Sequence, residues 1–157
     1  MSVWLSTTLI QALRNLVVLW THYFDTLERK FSGLLELLCA CICQENDTLA
    51  RIGTASLQQL IIRNESRFAP RHWQLTVDAF LRLFRATTAS QVFDPALSAI
   101  EGETTTTPAS PAERRQAFKQ IIVKCVLQLL LIETTHELLQ NSAVYDAMPV
   151  EQLLRIT

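Results

Sequence analysis

The chain has 157 residues, 49% of them hydrophobic, which is enough for one sizeable core and argues for no second independent domain. A formal net charge of −1 provides no global field to draw the chain onto nucleic acid or lipid, so nucleic acid is not expected as a partner and charge-driven binding must come from a local patch. Of only three glycines, Gly33 and Gly53 sit among apolar periodic residues, a composition that starves β-hairpins of turn residues and predicts an all-α protein.

The first predicted helix begins near Leu5. Leu5, Leu9, Ala12, Leu16, Trp20 and Tyr23 share one face, with Ile10, Leu13, Val17 and Phe24 beside it. Gln11, Arg14, Asn15, His22 and Asp25 leave a narrow polar strip, so this helix is expected to be largely buried. A secretory signal is not expected, because the Met1 end lacks a basic stretch ahead of its apolar residues. The second helix, about Phe31 to Gln44, is apolar nearly all round apart from Glu36 and Gln44 and reads as a central helix covered on several sides.

Asn46 and Asp47 supply a capping signal for a third helix that ends near Asn64. Leu49, Ile52, Leu57, Leu60 and Ile61 form its inner stripe, with Arg51, Ala55 and Gln58 outside. Pro70 opens a fourth helix, with Trp73, Val77, Phe80, Leu81 and Phe84 set against Arg71, Gln74, Asp78, Arg82 and Arg85. Ala69 stands where a polar capping residue would serve that helix better.

From Thr87 to Pro111 the periodicity collapses, and residues 88–110 are expected to be a flexible Thr/Pro-rich insertion. Beyond it, Phe118, Ile121, Ile122, Cys125, Leu129, Ile132 and Leu139 predict the inner stripe of a long fifth helix, opposite Gln120, Lys124, Gln128 and Thr135. Pro149 opens a sixth, where Leu153, Leu154 and Ile156 start a stripe that Thr157 cuts off, so the chain is expected to end inside an element. Leu34–Cys43 and Ile121–Ile132 are too short and too interrupted to span a bilayer, leaving peripheral contact as the only expected membrane association.

The spacing from Leu5 to Thr48 is close to the ~40–47 residues of HEAT and armadillo units. Residues 1–157 are therefore read as a single HEAT/armadillo-like module of about six helices in antiparallel pairs, part of a longer solenoid. A compact irregular bundle is the alternative.

Little here carries chemistry. Cys39, Cys41, Cys43 and Cys125 lie in apolar stretches and predict free buried thiols in a reducing, intracellular compartment. Cys41 points away from Cys39 and Cys43 on a helix, so no metal site is expected there. Glu133 and His136 have the Glu-x-x-His spacing of carboxylate-bridged metal bundles but lack a second copy. His22, His72 and His136 stand on different segments without marked partners, and no catalytic constellation or cofactor motif is found, so the chain is read as non-enzymatic. The one surface feature is basic. Arg63, Arg67, Arg71, Arg82 and Arg85 cluster around the third and fourth helices, where they would meet phosphate groups or acidic partner residues.

Several stretches carry a resemblance. They are Trp4-Leu5-Ser6-Thr7, Leu9–Leu13, Cys41–Thr54, Leu57–Leu60, Phe68-Ala69-Pro70 with Trp73, and Lys124–Leu129. In this order they resemble fungal members of the Sec-seven/BIG family of large Arf guanine-nucleotide-exchange factors, from about Trp4 to Thr157. The resemblance implies a helical region downstream of the exchange domain, working at the cytosolic face of trans-Golgi membranes. It further implies roles in membrane recruitment, control of exchange and binding of small GTPases of the Arf and Rab type. Neighbouring helical repeats of the same protein, an anionic membrane surface and a second copy are the other partners considered. A purely structural repeat, supporting dimerisation or inter-domain register, is the alternative function.

Overall fold

The computed structural model describes residues 3–44, 46–89 and 111–157. Among these there are helices and no strands: α1 (Val3–His22), α2 (Phe24–Leu27), α3 (Phe31–Ile42), α4 (Asp47–Ile62), α5 (Pro70–Thr87), α6 (Pro111–Gln140), α7 (Ser142–Ala147) and α8 (Val150–Ile156). Short 3-10 turns at Glu28–Lys30 and Glu65–Arg67 join α2 to α3 and α4 to α5. The fold is an all-α helical repeat, and the six expected helices are α1, α3, α4, α5, α6 and α8. The expected insertion at 88–110 lies outside the described residues except for Thr88 and Ala89.

Local signals set the helix starts. The Asn46 side chain accepts from the Leu49 N–H at 3.0 Å, and Pro70 occupies the first turn of α5. Alanine at position 69 has no side chain to cap α5, but the Ala69 N–H donates to His72 Nδ1 at 3.0 Å, so one half of a capping box is made by the histidine.

Packing runs α1–α4–α6 along one side and α3–α5–α8 along the other, with α3 against α4 and α5 against α6. The closely paired helices are thus one step out of phase with the pairs that the Leu5-to-Thr48 spacing suggests. Gly53 is a physical reason for the tight α3–α4 contact: a Cβ there would lie 2.9 Å from Ile42 Cγ1, 3.1 Å from Cys41 Cβ and 3.2 Å from the Ile42 nitrogen. Gly33 faces open space. Gly33→Ala should therefore stabilise the chain by about 0.5–1 kcal/mol through helix propensity, whereas Gly53→Ala should destabilise it by about 1–3 kcal/mol through overpacking. Urea denaturation reads both, and a stable Gly53→Ala protein would refute the close approach.

Three helices bury less than their composition suggests. On α1 the seam is Leu13, Val17 and Trp20, continued by Phe24 of α2, while Val18 and Leu19, and Tyr23 just beyond the helix, are exposed. On α3 the seam is Phe31, Leu34, Leu35, Leu38 and Ile42, and Leu37 is exposed, so this helix is covered on one face and not all round. On α8 Gln152 is buried and Leu154 is exposed.

The largest correction is α6, whose buried seam is Leu127, Leu131, Thr134, Thr135 and Leu138. Phe118, Ile122, Cys125, Leu129 and Ile132, expected inside, face solvent. The reason lies in the threonines. Thr134 and Thr135 donate their hydroxyls to the carbonyls of Leu130 and Leu131 at 2.8 Å, which satisfies the polar atom within the helix and leaves a methyl to pack. Thr54, Thr76 and Thr87 do the same toward Ala50, His72 and Leu83.

An aromatic joint locks α2 and α3 onto α5. Phe24, Phe31 and Phe68 surround the buried His72 ring with centroids 5.1–5.6 Å away, and Trp73 stands edge-on to Phe68. His72 has a marked partner, contrary to the sequence reading: its Nε2 lies 3.3 Å from Glu28 Oε1. Burial lowers the His72 pKa below its ordinary 6.5, Glu28 opposes this and Arg71 adds to it. Protonation would also place a second hydrogen against the Ala69 N–H. The unfolded chain therefore binds this proton more readily, so stability present at neutral pH is lost as pH falls below about 6.5. His72→Gln should flatten the fall in thermal midpoint between about pH 7 and pH 5, above the range where ordinary carboxylates titrate.

Candidate partner-binding surface

The five candidate arginines do not form one patch. Arg67 is committed to contacts within the chain at an exposed position: it donates to the Thr21 carbonyl at 2.7 Å, pairs with Asp25 at 3.1 Å and lies over the Phe24 ring at 4.8 Å. With Asn64, which donates to Thr21 Oγ1 at 3.1 Å, it ties the end of α1 to the α4–α5 turn.

Arg71, Arg82 and Arg85 are exposed on α5. Between them Asp78 is paired with Arg155 of α8, so the strip is interrupted by a cross-helix ion pair. Arg71 and Arg155 share a shallow depression with Gln74, Pro149, Glu151 and Gln152. Arg82 lies toward Cys39, whose pKa burial pushes up to about 11 while Arg82 pulls against it.

Arg63 belongs elsewhere. It lines a groove between α1 and α4 of about 570 Å³, together with Arg14 and Arg51. Ile10, Val17, Val18, Ile52 and Ala55 provide its apolar wall. Arg51 is held by Asp47 at 3.0 Å, both exposed, and among the described residues the Arg63 side chain is held only by Gln59, at 3.3 Å. Arg14 makes no ion pair among the described residues. This basic groove was missed because Arg14 and Arg51 read as solvent strips of separate helices, and only the packing of α1 on α4 brings them beside Arg63.

Cys39 and Cys41 are half-buried, but Cys43 and Cys125 are exposed, which corrects the expectation of four buried thiols. No group of three or more metal-ligating side chains occurs among the described residues. Glu133 and His136 are exposed, and His136 Nε2 is 2.9 Å from Gln140 Nε2. No described helix is long and apolar enough to cross a membrane.

Fold and surface together define an all-α helical-repeat protein with a basic groove. Its sequence relatives are Arf exchange factors. The chain is 61% identical over 94 residues, or 60% of its length, to the ADP-ribosylation factor guanine nucleotide-exchange factor SEC7 of Saccharomyces cerevisiae. Across 98% of its length it is 40% identical to the exchange factor sec72 of Schizosaccharomyces pombe. It is 29% identical over 114 residues to the bovine brefeldin A-inhibited guanine nucleotide-exchange protein 1. The chain is thus related to the Sec7 and BIG group of large Arf exchange factors, as its motifs suggested. It spans 5–10% of the length of these relatives. No protein-family profile and no solved structure matches it.

Proposed function

We propose that this chain is a non-catalytic regulatory segment of a large Arf guanine-nucleotide-exchange factor in Golgi vesicle-mediated transport. It helps recruit the factor to the cytosolic face of trans-Golgi membranes, bind small GTPases or control exchange. The observation that carries the reading is the α1–α4 groove: three guanidinium groups over an apolar wall, with Asp47 the one carboxylate paired to them among the described residues. Such a groove suits an acidic amphipathic segment or an acidic GTPase surface, because arginine forms strong paired contacts with carboxylates. Arg71, Arg82 and Arg85 are a second, flatter basic face.

The test reverses Arg14 and Arg63 to glutamate in the full exchange factor, with Arg71, Arg82 and Arg85 reversed in a separate variant. Loss of membrane recruitment or of regulated exchange in the first variant, with the fold intact by circular dichroism, is the expected result. The 157-residue chain alone should not accelerate nucleotide release from any Arf protein. Normal recruitment and exchange in both variants would leave the structural-repeat reading, which the internal role of Arg67 favours.

A further inference from the structure

On the side of α6 away from its buried seam, Phe118, Ile122, Cys125, Leu129 and Ile132 recur at alternating steps of four and three residues. All are exposed, Phe118 at 64%, Leu129 at 67% and Ile132 at 52%. That spacing is the seam of a two-helix coiled coil, and over about 21 Å of helix nothing among the described residues covers it. A contiguous apolar stripe of this kind marks an interaction surface.

The residues flanking the seam say what fits it. Lys119, Val126 and Glu133 stand one heptad apart along one edge and are all exposed. Neither Lys119 nor Glu133 has an ion pair among the described residues. In an antiparallel pairing of two identical helices, like flanks meet across the seam. A two-fold axis near Val126 and Leu127 then sets each Lys119 against the other copy's Glu133, and Val126 against Val126. The same register layers Ile122 on Ile132 and Cys125 on Leu129 of the other copy. A parallel pairing would set Glu133 beside Gln128 and lose the charge match.

We propose that this face of α6 is a self-association surface, occupied by α6 of a second copy running antiparallel. The seam is short beside a standard interface of ~800 Å² per partner, so association is of moderate strength and rises with concentration.

Sedimentation velocity of the reduced 157-residue chain, from dilute to concentrated solution, should show a shift from monomer to dimer. Leu129→Glu, at an exposed position, should remain folded by circular dichroism and monomeric throughout. Lys119→Glu and Glu133→Lys should each weaken the dimer several-fold, since each places two like-charge pairs across the seam. Mixed in equal amounts, these two variants should dimerise again, because the mixed pair restores both attractive contacts. A chain that stays monomeric at every concentration overturns the proposal, as does a dimer that survives Leu129→Glu. A mixture no more associated than its components also overturns it, and would leave another occupant, such as a further helix of a longer polypeptide.

Discussion

Leu131→Ala should cost about 2–5 kcal/mol, whereas Leu129→Ala, two residues away on the same helix, should change stability by no more than about 0.5 kcal/mol. Leu131 is fully buried and Leu129 is 67% exposed. The first substitution removes a side chain from the seam that α6 presents to α4 and α5, and leaves a cavity that the surrounding helices only partly fill. The second removes apolar surface that is already in water. Urea denaturation of the two variants, with the slope checked for two-state behaviour, measures the difference. Equal losses, or a larger loss at Leu129, would mean that α6 docks through the opposite face. The Leu129→Ala measurement belongs at low protein concentration, where the self-association proposed for that face does not contribute.

The second large effect is expected at Trp73, 1% exposed and packed edge-on against Phe68 with centroids 5.1 Å apart. Trp73→Ala should cost about 3–5 kcal/mol, because it empties the joint that holds α5 against the Phe31 and Phe68 rings. For a domain of this size each kcal/mol moves the thermal midpoint by roughly 2–4 °C, so a fall of about 6–20 °C is the reading. The indole N–H of Trp73 is buried without a hydrogen-bond partner among the described residues. Trp73→Phe keeps an aromatic ring and removes that unpaired donor, so it should lose much less than Trp73→Ala. Comparable losses in the two variants would show that indole shape, and not ring burial, holds the joint.

The α1–α4 groove and the α6 seam have different origins. The groove is made by two helices that pack through their apolar faces and leave arginines at the rim. The seam is a single helix with apolar side chains on two opposed sides. Reversing arginines therefore tests the groove while leaving self-association intact, and Leu129→Glu does the converse.

Sequence alone determined the all-α class, the six principal helices and most of their limits. Those features are local: Asn46 caps α4 within its own first turn, Pro70 is fixed at the start of α5, and few glycines remain for hairpins. The inner faces of α4 and α5 were legible for the same reason, since Leu57, Leu60, Trp73, Val77 and Phe80 form one apolar stripe per helix, opposite polar residues. Tertiary structure decided the rest. On α6 two apolar stripes compete, and threonines whose hydroxyls bond within the helix count as packing residues, so only the presence of α4 and α5 selects the Leu127–Leu138 side. Gly33 and Gly53 look alike in sequence, but only Gly53 meets a neighbouring helix. The arginines divide similarly: Arg67 is engaged by Thr21, Asp25 and Phe24, while Arg14 and Arg51 join Arg63, across distances in sequence that no single-helix pattern encodes. Periodicity states what one helix can bury, and the neighbours it meets determine which face and which charges remain at the surface.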